Sequence, residues 1–204
     1  MSDSEKMEAY FNNIKDLSDK GLHSWSRCYY GIFSGIINEN NYKVVAEVGI
    51  GYGMHARQVL KNTNVDRLYL VDPHCVYPND AFSDDVINNG GFDNLVKEIK
   101  KELLPFENRY TWFRKPSVEV TNDEISDNCL DAIFIDGDHS FASVYADLKK
   151  WWPKVKSGGQ LLGDDYNWQS VELAVKIFAK QNNLSFDILF KQEANHPIFR
   201  FKKV

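Results

Sequence analysis

The stretch Glu47-Val48-Gly49-Ile50-Gly51-Tyr52-Gly53 follows Lys43-Val44-Val45-Ala46 and leads into Met54–Leu60. Lys43–Val48 is a nearly unbroken apolar run, the mark of a strand buried on both faces in a parallel sheet. Met54–Leu60 has the apolar spacing of a helix. Between them, glycines at alternate positions let the backbone turn sharply and approach a ligand, while the helix N-terminus offers free N–H groups. A tight turn alone explains one glycine pair. Three alternating glycines behind a buried acid point to a ligand cradle. The dinucleotide pattern G-x-G-x-x-G is met only in its first two glycines, because Met54 stands where the third belongs. Glu47 suits a cationic or zwitterionic ligand better than a diphosphate, so a nicotinamide oxidoreductase is the weaker reading.

Outward from this loop, strand and helix patterns alternate. Arg67–Val71 reads as a second buried strand, stopped by Asp72-Pro73. A carboxylate at that strand end can accept from both hydroxyls of a ribose; taken alone, Asp72 reads as a turn residue. Phe92–Leu104, Ser140–Trp152 and Val171–Lys180 read as helices. Tyr110–Phe113, Leu130–Ile135 and Gln160–Leu162 read as strands, the last opening after Gly158-Gly159. Glu5–Leu17 and Trp25–Ile37 read as helices ahead of the core. Phe186–Phe190 and Ile198–Phe201 read as an antiparallel pair around Asn195-His196-Pro197. Cys75–Gly91 has loop composition and unusual length, which predicts a mobile lid. The pattern is α/β, a mostly parallel sheet with helices on both faces, in one domain: helices over 1–40, core over 43–204.

In such sheets ligands bind beyond the carboxyl ends of the strands. Asp136 and Asp138 follow Leu130–Ile135, and Asp164 and Asp165 follow Gln160–Leu162. Neighbouring strands lie ~5 Å apart, so four acids crowd one region and oppose one another's ionisation unless a cation is present. Oxygen-only ligands favour magnesium, calcium or manganese, and magnesium is the choice made here. Asp138 also reads as a helix cap, and Asp164-Asp165 as a solvated acidic pair. His139 reads either as a base or as a capping or core residue. His23, His55, His74 and His196 show no ligand spacing. Tyr166 and Trp168 are candidate walls of an acceptor pocket.

Bulk properties narrow the classes further. The 204 residues carry a net charge of −5 with acidic and basic residues interspersed, so no basic stripe offers itself to nucleic acid. Cys28, Cys75 and Cys129 form neither a disulfide framework nor a zinc pattern, which suits reduced thiols in the cytoplasm. The first twenty residues do not read as a signal peptide, and no apolar run reaches the ~20 residues of a membrane span. Homo-oligomerisation is left open.

Glu47–Gly53 resembles motif I of class I S-adenosylmethionine-dependent methyltransferases. Asp131–Ser140, Trp151-Trp152-Pro153 and Gly158–Tyr166 resemble the metal-dependent branch that includes sugar and antibiotic O-methyltransferases such as the macrocin enzymes. Catechol and caffeoyl-CoA O-methyltransferases are similar at longer range. The resemblance covers about residues 43–166. It implies a Rossmann-like seven-stranded sheet with an antiparallel last strand, and S-adenosylmethionine as cofactor. It implies that Gly49, Gly51 and Gly53 hold the methionine part, that Glu47 supports the loop, that Asp72 holds the ribose and that Ser117 touches the adenine. It further implies metal ligands at Asp136, Asp164 and Asp165, a catalytic base at Asp138 or His139, and a glycan or small-molecule hydroxyl as acceptor. A metal-independent methyltransferase and a non-catalytic cofactor-binding module are the alternatives.

Overall fold

The computed structural model describes residues 1–22, 30–78, 80–189 and 197–204. Two helices, α1 (Asp3–Asp19) and α2 (Tyr30–Asn40), precede β1 (Val44–Val48). Then follow α3 (Met54–Asn62), β2 (Arg67–Val71), α4 (Ala81–Asn88), α5 (Phe92–Leu103), β3 (Tyr110–Phe113) and β4 (Leu130–Ile135). The chain closes with α6 (Phe141–Trp151), β5 (Val155–Gly163), α7 (Gln169–Asn182), β6 (Phe186–Leu189) and β7 (Ile198–Lys202). The seven strands form one sheet in the order β3-β2-β1-β4-β5-β7-β6. β7 alone is reversed, pairing antiparallel with both β5 and β6. The Rossmann-like sheet with an antiparallel last strand is therefore present.

Strand side chains alternate between two apolar layers. Val45, Ala132, Phe134 and Leu162 face a layer completed by α1, α2, α3 and α5. Ala46, Val48, Ile133, Ile135 and Leu161 face a layer completed by α6 and α7. Helix α1 starts on a capping box, with Ser2 and Glu5 exchanging backbone hydrogen bonds, and buries Met7, Phe11 and Ile14. Arg57 on α3 ties this layer together, its guanidinium reaching Asp19 and, at 2.6 Å, Glu102.

Two elements differ from the sequence expectation. The span Cys75–Gly91 contains α4, capped by Asp80, whose carboxylate accepts from the Ser83 N–H at 2.8 Å. The helix is short and mostly polar, so its periodicity is faint, but Val86 is fully buried. Strand β5 begins at Val155, not Gln160. The Gly158-Gly159 pair interrupts its pairing with β4 as a register shift instead of preceding the strand. The expected helix start at Trp25, Cys28, and the turn residues Asn195 and His196 lie outside the described residues.

Candidate active site

Backbone hydrogen bonds stagger the strand ends so that their first loop residues form a row. The Gly49 N–H donates to the Val71 carbonyl (2.9 Å), Asp72 to Phe113 (3.2 Å), Asp136 to Val48 (2.7 Å) and Asp164 to Ile135 (3.1 Å). Asp72, Gly49, Asp136 and Asp164 thus share the carboxyl edge. The packing there is tight: a Cβ on Gly49 would stand 1.9 Å from the Asp136 carbonyl oxygen. Gly49, Gly51 and Gly53 all have left-handed backbone conformations, with φ of 80°, 49° and 76°. At Gly51 a Cβ would meet nothing within 4 Å, so the loop presents bare backbone to open space at the start of α3.

Asp72 is joined to this loop. Its Oδ2 accepts from the N–H groups of Ile50 (2.9 Å) and Gly51 (3.2 Å), and its Oδ1 accepts from the His74 N–H (2.7 Å). Three of the carboxylate's roughly four lone-pair sites are thus taken, and the one left, on Oδ1, can accept from a ribose hydroxyl. His74, which shows no ligand spacing along the chain, clamps the pair. Its Nε2–H donates to the Gly51 carbonyl at 2.8 Å and its Nδ1 stands 3.1 Å from Asp72 Oδ1. The ring is buried against Trp112, on a backbone with φ of 44° that histidine seldom adopts. Glu47 is buried beneath the loop, 3.2 Å from His55 Nδ1, and its Oε2 has no hydrogen-bond partner among the described residues. A buried carboxylate oxygen without a donor fits a cationic or zwitterionic group.

The acids beyond β4 and β5 converge, and His139 joins them. Asp136, His139 and Asp165 each offer a ligand atom, all lying within 4.8 Å of one another. His139 Nε2 stands 3.1 Å from Asp165 Oδ2, and the ring packs on Trp168 at 5.0 Å. The Ser170 hydroxyl donates to the His139 carbonyl and fixes its backbone. Asp164 is buried beside this group, and its Oδ1 has no hydrogen-bond partner among the described residues. Burial, then the charges of Asp136 and Asp165, push its carboxyl well above the carboxylate range. A buried carboxylate with one oxygen unpartnered among the described residues, beside two further acids, is a donor set that fits a divalent cation.

Asp138 is engaged elsewhere. Its carboxylate accepts from the Ser140 N–H (2.8 Å), the Ser140 hydroxyl (3.1 Å) and the Ser143 hydroxyl (2.7 Å), a turn that leads into α6. Burial acts to raise this carboxyl, but those hydrogen bonds and His139 outweigh it and leave it below its ordinary value. Ser117 stands beyond β3, and its hydroxyl donates to Asp147 of α6. Tyr166 packs inward against Phe186 and Phe199, whereas Trp168 is exposed beside His139. Tyr166 is therefore part of the packing under β6 and β7.

An open glycine cradle, a strand-end carboxylate bonded to it and an acidic cluster on a seven-stranded sheet with one reversed strand define a Rossmann-like methyltransferase. Residues 46–166 match a family described as a methyltransferase domain, and the chain belongs to that family. S-adenosylmethionine is the methyl donor that membership implies. A sequence relative is an uncharacterised protein of Acanthamoeba polyphaga mimivirus, 22% identical, with all of this chain aligned to 86% of it. Among solved structures, a candidate caffeoyl-CoA O-methyltransferase from Staphylococcus aureus superposes with a TM-score of 0.63 at 14% identity, covering 93% of this chain and 91% of that one. An rRNA methylase from Streptococcus thermophilus gives 0.58 at 8% identity, covering 86% and 93%. At such identities the likeness is one of fold.

Proposed function

We propose that the protein is an S-adenosylmethionine-dependent O-methyltransferase that uses a divalent cation, magnesium first, and acts on a hydroxyl of a glycan or small molecule. The observation that carries this reading is the convergence of Asp136, His139 and Asp165 beside the buried Asp164, whose Oδ1 has no hydrogen-bond partner among the described residues. Asp136, Asp164 and Asp165 would hold the cation, whose chemistry is to lower the pKa of an acceptor hydroxyl. Gly49, Gly51 and Gly53 would hold the methionine part of the donor over Glu47, with Asp72 on the ribose and Ser117 at the adenine.

His139 is the base in this reading. Its imidazole reaches the cluster, whereas the Asp138 oxygens are occupied by three serine donors. The hydroxyl oxygen forms a bond to the methyl carbon, the carbon–sulfur bond breaks with its electron pair on sulfur, and the hydroxyl proton goes to His139. The glycine loop and Asp72 contribute by holding the methyl in line with the oxygen. Exposed Trp168 beside His139 offers a flat apolar face to a small acceptor. The net charge of −5 and the acidic edge oppose a polyanionic one.

The test incubates the protein with labelled S-adenosylmethionine and panels of sugars, phenols and an rRNA fragment, with magnesium or excess chelator. Transfer to a sugar or phenol that is lost in chelator is the expected result. Undiminished transfer in chelator would overturn the cation, and transfer to the RNA alone would overturn the acceptor class.

A further inference from the structure

The roles above leave one buried carboxylate unused. Asp147 lies on α6, 4% exposed, among apolar side chains of that helix. Its Oδ2 would stand 3.8 Å from a Cβ on Gly137, as Val48 Cγ1 would at 3.9 Å, so it sits beneath the loop that leaves β4. Its Oδ1 accepts from the Ser117 hydroxyl, and among the described residues Oδ2 has no partner. A carboxylate so buried is costly unless something requires it there.

The hydrogen bond from Ser117 has a chemical consequence. A serine hydroxyl has one hydrogen and two acceptor lone pairs, and its hydrogen ordinarily rotates to suit either a donor or an acceptor. With that hydrogen committed to Asp147, the Ser117 oxygen is left to act as an acceptor only. Ser117 follows β3, and β3 pairs with β2, whose end carries Asp72. A nucleoside with its ribose at Asp72 therefore has the neighbouring strand end, with Ser117, within reach of its base. Adenine offers a 6-amino donor, whereas a 6-oxo purine offers an acceptor at the same place.

We propose that Asp147 is a positioning residue that fixes Ser117 as a hydrogen-bond acceptor and so makes the cofactor site select a 6-amino purine. This rests on the reading that the donor's base lies at Ser117. Asp147 acts only through the serine. A purely structural Asp147 would change stability, or weaken all nucleosides alike, and leave base selection intact.

The experiment compares the affinities of S-adenosylhomocysteine and its 6-oxo analogue, S-inosylhomocysteine, by calorimetry on the full chain. The wild type is expected to prefer the amino compound roughly tenfold or more, the scale of facing one buried acceptor with another. Ser117→Ala and Asp147→Ala should each bring that preference close to unity, and the double variant should lose no more than either single one. Should Asp147→Ala fail to fold, Asp147→Asn keeps the volume. Its amide can donate to the serine and release the hydroxyl hydrogen, so the preference should fall there too. An unchanged preference in a folded Asp147 variant overturns the proposal, as does a wild type that binds both compounds equally. Failure of the wild type to bind either compound would overturn the cofactor reading instead.

Discussion

Burial raises the Asp147 carboxyl to about 6, against the opposing hydrogen bond from Ser117, with the Asp138 charge adding to the rise. A carboxyl whose folded pKa exceeds its unfolded one near 3.8 favours the folded state below that value. The contribution is lost as pH climbs through about 6, because the folded protein holds the proton longer. Asp147→Asn should therefore stabilise the protein at pH 7 by on the order of 2–3 kcal/mol and flatten the gain in stability between pH 6 and 4. Thermal melts across that range check it; a destabilised Asn variant at pH 7 would contradict it. The two neighbours beyond β4 separate in the same way. His139→Gln should cost roughly 10²–10⁴ in turnover, the range for a lost general base. Asp138→Asn should keep turnover within about tenfold, since Asn supports the same turn. The reverse order in steady-state rates would make Asp138 the base.

Helix α4 changes what can move near the site. Of the long polar span expected as a lid, Ala81–Asn88 is helical, Asp80 caps it, and Ser83 and Val86 are buried. Its far end is held as well: a Cβ on Gly90 would stand 2.1 Å from the Asp3 carbonyl of α1. That leaves the short segment around Cys75, Val76 and Tyr77 exposed between Asp72 and α4, close to the cofactor edge. Amide exchange should thus be fast at Cys75 and Val76 in the free protein and slow on binding S-adenosylhomocysteine, while the Tyr77 N–H, bonded to the Ser83 hydroxyl at 3.0 Å, and α4 are protected throughout. Fast exchange along α4 in the free protein would restore the longer lid. The sequence concealed this helix because a short, half-polar helix offers too few apolar positions for a period to register. The long, apolar β1 and β4 were legible for the opposite reason.

Across the molecule, the strands stack their ends so that carboxylates from two loops meet in one place, where Asp164 and Asp165 are buried and Asp136 is half-buried. Burial, then the charges of Asp136 and Asp165, push the Asp164 carboxyl up to about 8, so it stays largely protonated near neutral pH until a cation favours its ionised form. Occupancy of the cluster by magnesium should therefore raise the melting temperature. At a concentration a hundredfold above Kd the linkage amounts to about 2.7 kcal/mol. Because ligand carboxyls must be ionised to bind, the rise should be larger at pH 8 than at pH 6. Scanning calorimetry with Asp164→Asn as control checks this, and equal shifts in wild type and variant would remove the cluster as the site.

The sequence alone determined the α/β class, the glycine loop, the strand-end acids and the neighbourhood in which they meet. Those features are local: apolar runs, glycines and acids at fixed offsets from strand ends, where topology guarantees proximity. The tertiary structure alone decided which oxygens remain free. Three serine donors absorb Asp138, His139 turns toward Asp165, His74 clamps Gly51 to Asp72, and Ser117 gives its hydrogen to Asp147. Hydrogen bonds between α6 and the segment after β3, or between the loops after β1 and β2, depend on rotamers and packing across elements distant in sequence. No spacing along the chain encodes those orientations.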